Sequence, residues 1–225
     1  MTANQPSPEA KGAIIVVDDD PSMRKALTNL FNSLDLTVHA FASTREFLDW
    51  PLPDTPLCLV LDIRMPGQNG LDFQEEFAPS HEEIPVVFIT GHGDIPMSVR
   101  AMKAGAIEFL TKPFKEQDLL DAIYAGLAKS AARRAEKAKV SDVYGRYQSL
   151  SPRQRQVMDM ILNGQLSKQI AATLKLSEIT VKICRAQLMR KMEATSLLEL
   201  GRMAEKIQGV AKSAPQDGPG EGPGA

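Results

Sequence analysis

Cysteine is scarce here: Cys58 and Cys184 are the only two in 225 residues, far apart and in no motif. That excludes a disulfide framework and leaves two reduced thiols, as expected of a cytoplasmic protein. Histidine is also thin. His39, His81 and His92 are scattered, which argues against a zinc site. No apolar run approaches the roughly 20 residues that span a bilayer, so no membrane partner is expected. The stretch Met1 to Lys11 is polar, contains two prolines and has no apolar signal-peptide core. Net charge is nearly absent too, at −2, but it is unevenly spread. Residues 13–126 carry −10, residues 127–146 carry +4 and residues 147–207 carry +5. An acidic first half joined to a basic second half predicts two domains with different partners, the second of them a nucleic acid.

What is present is a set of apolar runs that end in chemistry. Ala13 to Val17 runs into Asp18-Asp19-Asp20, and Leu57 to Leu61 runs into Asp62. Pro85 to Ile89 leads to Thr90-Gly91-His92-Gly93, and Ala106 to Leu110 leads to Thr111-Lys112-Pro113. Short apolar runs bounded by turn residues read as buried parallel strands. Leu36 to Ala40 adds a fifth. Between them lie helical patterns. One is capped by Asp20 with Pro21 at its first position, and its apolar residues Met23, Ala26, Leu27, Leu30, Phe31 and Leu34 share one face. Ser43 to Glu46 is a capping box for a short helix that Pro51 and Pro53 end. Further helices are expected over Leu71 to Phe77, Pro96 to Ala104 and from Glu116 onward. Strands alternating with helices predict an α/β, doubly wound, five-stranded parallel sheet. Right-handed crossovers then bring Asp18, Asp19, Asp62, Thr90 and Lys112 to one crevice.

Each of these residues has an ordinary reading when taken singly: Asp62 as a turn cap, Lys112 as a solvated lysine, Thr90 as a strand-end turn residue. Their shared position is what matters. Three carboxylates within a few ångström disfavour one another's ionisation unless a cation joins them, and Mg²⁺ (or Mn²⁺) is the hard cation that takes such oxygens. Lys112 adds a positive donor and Thr90 a neutral one. The set suits a dianionic phosphoryl group, with Asp62 as nucleophile and site of an aspartyl phosphate.

The second half carries four helical patterns in about sixty residues. Ser151-Pro152-Arg153-Gln154 is a capping box whose helix runs to Leu162 and stops at Asn163-Gly164. Ser167 to Leu174 follows, then Glu178 to Met192 behind Ser177, then a fourth helix from about Ser196. Val181, Cys184, Leu188 and Met192 form an apolar face on the third, with Lys182, Arg185 and Arg190 largely away from it.

These motifs resemble a known family. Val16-Val17-Asp18-Asp19-Asp20, Leu61-Asp62-Ile63-Arg64-Met65-Pro66-Gly67, Ile89-Thr90-Gly91-His92-Gly93 and Gly105 to Phe114 resemble the receiver domain of two-component response regulators, in order and spacing. Leu150 to Val157, Lys168-Gln169-Ile170-Ala171 and Thr180-Val181-Lys182 resemble a LuxR-type helix-turn-helix. Together they resemble the NarL/FixJ family over roughly residues 13–207. The resemblance implies Mg²⁺ on Asp18, Asp19, Asp62 and the backbone carbonyl of Arg64, and a phosphoryl group passed to Asp62 by a sensor histidine kinase. It implies Lys112 on the phosphate, a cis Lys112–Pro113 bond, a Thr90–Phe109 switch, and a tuning role for Arg64 and His92. It points to Lys182 and Ile183 for base contact on double-stranded DNA. Lys168, Arg190 and Lys191 are expected on phosphates, with Arg185 near the base-reading half of its helix. A homodimer on phosphorylation, through residues 96–126 with Val99 and Ile107 near the face, is expected, as is RNA polymerase as a partner. The chain departs from the family in having Cys184 where many members have His, and Gln154 where they have an acid.

The expected organisation is therefore a disordered N-terminus (1–12), a receiver (13–126), a helical linker (127–146) that is kinked or loose after Ser141 if it is not continuous, a helix-turn-helix domain (147–208) and a disordered tail (209–225). A metal-dependent phosphatase with an aspartyl phosphate is the rival from another class. It needs a second acid two residues after the nucleophile, and Arg64 stands there. The expectation is a phosphoacceptor that at most catalyses its own phosphorylation and dephosphorylation, not a turnover enzyme.

Overall fold

A computed structural model describes residues 12–213, and the expectations for residues 1–11 and 214–225 lie outside the described residues. The chain divides into two compact units between Ala135 and Glu136. In the first, strands β1 (Ala13–Val17), β2 (Thr37–Phe41), β3 (Leu57–Asp62), β6 (Val86–Thr90) and β7 (Glu108–Thr111) form one parallel sheet in the order β2-β1-β3-β6-β7. The remaining two strands are short: β4 (Arg64–Met65) and β5 (Gln68–Asn69) pair as an antiparallel hairpin. The helices are α1 (Pro21–Ser33), α2 (Thr44–Leu48), α3 (Gly70–Phe77), α4 (Ile95–Lys103) and α5 (Glu116–Gln148).

Side chains alternate across the central strands, as a period of two requires. Ile15, Val17, Leu59, Leu61 and Phe88 face one way, into a core shared with Phe47, Phe73 and Phe77. Ile14, Val16, Cys58, Val60, Val87 and Ile89 face the other way, against Leu27, Phe31, Leu119 and Ile123. Apolar cover on both faces is why these strands read as unbroken apolar runs. The chain order of the strands reverses between β1 and β3, so the crevice of an open α/β sheet lies where Asp18 and Asp62 end their strands.

Local chemistry sets most boundaries. Asp20 accepts from Ser22 N and Asp94 accepts from Met97 N, each at 2.8 Å, capping α1 and α4. The β4–β5 hairpin was not expected. Its Pro66-Gly67 turn has Gly67 at φ +87°, the order and sign of a type II turn. Strands β2 and β7 begin one and two residues later than the sequence pattern suggests; Leu36 and Ile107, just before them, pack against the core. Ile107, expected near a free face, is therefore partly buried there, whereas Val99 is 44% exposed.

In the second unit, α6 (Pro152–Leu162), α7 (Ser167–Leu174), α8 (Glu178–Met192) and α9 (Leu197–Ser213) close around Val157, Ile161, Ile170, Val181, Leu188, Met192 and Leu200. Both halves of the Ser151–Gln154 capping box form. Two expectations need correction. The linker does not loosen after Ser141: α5 is helical to Gln148, because Val143, Tyr144 and Tyr147 join the core of this unit. The residues from 209 to Ser213 are helical rather than disordered, since lengthening a helix already nucleated costs little. No described helix is long and apolar enough to cross a membrane.

Candidate functional site

Four strand ends bring the first site together. Asp18 is wholly buried, Asp62 is nearly so and Asp19 is exposed; their ligating oxygens lie within 4.8 Å of one another. Lys112 reaches across from the end of β7. Its Nζ donates to Asp18 Oδ2 at 2.7 Å and to Asp62 Oδ2 at 2.8 Å. Burial alone would lower the Lys112 pKa. The hydrogen bonds and charges of Asp18 and Asp62 outweigh it, and the ammonium is held above its ordinary value. The other oxygens are also oriented. Asp18 Oδ1 accepts from Asp20 N at 2.8 Å, and Asp62 Oδ1 accepts from Arg64 N at 3.2 Å. The Lys112–Pro113 bond is cis.

Three carboxylates and one ammonium leave this cluster two positive charges short of neutrality when all are ionised. A hard divalent cation matches that deficit and that all-oxygen donor set, so the residues present fit Mg²⁺.

Thr90 is buried at the end of β6. Its Oγ1 lies 3.3 Å from His92 N and 3.4 Å from His92 O, so the hydroxyl is turned toward its own loop. Phe109 is half-buried on the neighbouring strand, where Phe88 pairs with it. A Cβ at Gly93 would come within 2.8 Å of the Phe109 ring, so loop and ring are in close contact. Arg64, His92 and Asp94 line an open cleft of about 470 Å³ beside them.

Two supports escaped the sequence reading. Arg24 on α1 donates to the Asp18 carbonyl at 2.6 Å. Gly70 packs so closely on β3 that a Cβ there would lie 2.4 Å from the Asp62 carbonyl oxygen. The Asn69-Gly70 pair was the available signal for Gly70; nothing local marks Arg24.

The second site is the helix pair α7–α8. The turn between them passes through Lys175 at φ +53°, and Ser177 caps α8 through Thr180 N at 3.1 Å. Val181, Cys184, Leu188 and Met192 are buried as expected. Lys168, Lys182 and Arg190 are exposed, and Ile183 is 54% exposed. Arg185 differs from expectation: it is half-buried on the flank of the core-facing stripe rather than on the outer face. Ile179, overlooked in the sequence, is 70% exposed in the first turn of α8. Lys191 is exposed, but its Nζ donates to Ser149 O at 2.7 Å. Cys184 is an internal thiol that desolvation raises above its ordinary pKa, against a small opposing pull from Arg153.

Known proteins match both halves. The model of the response regulator receiver domain matches residues 14–124, and that of bacterial regulatory proteins of the luxR family matches residues 148–204. Nodulation protein W of Bradyrhizobium diazoefficiens is 51% identical over 197 residues, covering 88% of this chain and 87% of its own. Transcriptional regulatory protein FixJ of Azorhizobium caulinodans is 42% identical, covering 87% and 92%. Among solved structures, the response regulator StyR superposes with a TM-score of 0.77 at 47% identity, covering 88% of this chain and all of that one. Full-length FixJ from B. japonicum gives 0.52 at 38% identity, covering 88% and 98%.

Proposed function

The chain belongs to the response regulators that join a receiver domain to a LuxR-type DNA-binding domain and control transcription in a phosphorylation-dependent way, and from that premise we propose how its own residues do so. Asp62 is the phosphoacceptor. A carboxylate oxygen of Asp62 forms a bond to phosphorus as the P–N bond to a phosphohistidine of a sensor histidine kinase breaks, and the released imidazole takes up a proton. The observation that carries this reading is the Lys112 ammonium seated on both Asp18 and Asp62. A fixed cation at the nucleophile is what an incoming group of about −2 charge requires. Asp18, Asp19 and Asp62 would hold Mg²⁺ (or Mn²⁺) with the Arg64 carbonyl. Bound there, the ion supplies charge neutralisation to the phosphoryl oxygens.

Once Asp62 carries the phosphoryl group, Lys112 moves its bonds to the new oxygens. Thr90 gives up its loop partner and donates to the phosphoryl group, and Phe109 turns into the vacated space beside Gly93. The change reaches α4, whose Ile95, Val99 and Met102 are exposed apolar side chains, and a second copy of the chain pairs through this face. In the second unit Lys182 and Ile183 meet base edges, Arg185 flanks them, and Lys168 and Arg190 hold phosphates of double-stranded DNA. Recruitment of RNA polymerase is the step beyond. The site of action is the cytoplasm, where Cys58 and Cys184 stay reduced.

The test is labelling by acetyl phosphate. Wild type should take up one phosphoryl group per chain with Mg²⁺ and none after chelation. Asp62→Asn keeps the shape, removes the nucleophile and should not label. Stoichiometric labelling of Asp62→Asn would overturn the assignment.

A further inference from the structure

The end of helix α8 is closed partly from outside the helix. Its last carbonyls have no partner within the helix, and the chain leaves through Glu193 in the left-handed region at φ +55°. The backbone closes part of this end, with Glu193 N and Ala194 N turned back on Met189 and Arg190. A residue from the far end of α5 completes it. Arg146 Nη1 lies 3.3 Å from the Met192 carbonyl oxygen and 3.0 Å from Glu193 Oε2, while Nη2 lies 2.6 Å from Asp142 Oδ2. The Arg146 side chain is three-quarters buried. The contact is returned in kind: Lys191 of α8 donates to the Ser149 carbonyl, just past the end of α5. Each helix thus places a cation on the other's C-terminal carbonyls, where the helix dipole favours positive charge.

We infer that Arg146 and Lys191 form a clamp that sets the seating of α8 on its module, and so decide DNA sequence discrimination without touching DNA. This rests on α8 being the reading helix. Lys182 lies ten residues before Met192, about 15 Å along the axis. A tilt of about 4° at the clamped end moves the Lys182 backbone by about 1 Å, enough to spoil a bidentate contact to a base edge. A phosphate contact tolerates more, because an ammonium is a mobile point charge. Lys191 accordingly leaves the set of phosphate contacts and becomes a positioning residue. A surface ion pair taken singly is worth little, so the clamp acts through geometry and not through stability.

The experiment uses the full chain, with a duplex selected from a random library by wild type and a scrambled duplex of the same length. Affinities are measured by anisotropy across a salt series. Arg146→Ala and Lys191→Ala should each lower the selected-to-scrambled ratio about tenfold, the scale of one mismatched base pair. The salt slope on scrambled DNA should not change. Arg146→Lys, which can still reach the Met192 carbonyl, should recover most of the ratio. Arg146→Gln, which keeps a donor but no charge, serves in its place if Arg146→Ala does not fold. A slope shallower by about one unit with the ratio intact would make the residue a phosphate contact and overturn the inference. An unchanged ratio would also overturn it. Lys182→Ala is measured alongside: if it too leaves the ratio intact, the reading of α8 itself has failed, and not the clamp alone.

Discussion

Lys112 and Lys182 carry the same ammonium in opposite settings. Lys112 is mostly withdrawn from solvent and shares its donors between two carboxylates from other strands. Lys182 stands exposed on a helix whose opposite face is packed on Val157, Ile170 and Leu200. The receiver gathers unlike charges inward, and the DNA-binding unit leaves like charges outside an apolar core. The difference follows from the ligand. A phosphoryl group transferred at one atom needs its counter-charges preset within a hydrogen-bond length. A polyanionic duplex brings its own charge and pays for binding by releasing counterions, so its cations work best hydrated and spread over a surface.

The largest effect expected is on the link between the regions. Val99→Glu should leave labelling at Asp62 intact yet abolish beryllofluoride-induced dimerisation, read by sedimentation. Switching a population from mostly inactive to mostly active takes about 5 kcal/mol of differential stabilisation, so losing the dimer contacts is enough to strand it. A labelled Val99→Glu protein that still dimerises would place the face elsewhere.

Next comes the inward lysine. Lys112→Met leaves two buried carboxylates uncompensated and should cost roughly 1–3 kcal/mol without metal, between the limits for exposed and fully buried pairs. Mg²⁺ should restore more stability to the variant than to wild type in urea melts. The pH dependence has a defined sign. The folded pKa of Lys112 is raised, so its stabilisation is present below the ordinary lysine value and is lost as pH rises through the folded one. The gap between wild type and Lys112→Met should hold through neutral pH and close only in strong alkali.

The outward lysines should divide by role. Lys182→Ala should cost about 1–3 kcal/mol on the preferred duplex and little on random DNA. Lys168→Ala should weaken both about equally and flatten the salt slope by up to about one unit. Identical behaviour of the two variants would erase the distinction between reading and positioning lysines.

The smallest effect concerns the thiols. Cys58 is fully buried and desolvation pushes its pKa up to about 12, so an aromatic disulfide reagent at mildly alkaline pH should spare it in native protein and titrate it after unfolding. Fast native reaction would show that β3 opens far more readily than its burial implies.

Much of this was legible in the chain itself. Strands that run into Asp18, Asp62, Thr90 and Lys112, and caps at Asp20, Ser43, Ser151 and Ser177, are written in neighbouring residues. Apolar period, a capping oxygen and a proline act over a single turn or strand. Those signals locate the main elements to within a residue or two and bring the acids and the lysine to one edge.

The rest depends on residues distant in the chain. That Lys112 would bond Asp18 and Asp62 together, and that Arg24 would brace the Asp18 carbonyl, follows from strand order and helix placement. So does the partly buried position of Ile107, which by pattern alone matched the freely exposed Val99. The end of α5 is the clearest case. Its residues after Ser141 look loose by composition, yet Val143 and Tyr147 find a core supplied by α6 to α9, and Arg146 finds the end of α8. By itself the sequence determined which segments are helix or strand and which chemistry ends them, because those choices are made by contacts a few residues long. Only the tertiary structure decided which charges are buried, which are paired and which remain for DNA, because desolvation and pairing are set by whatever distant segment packs alongside.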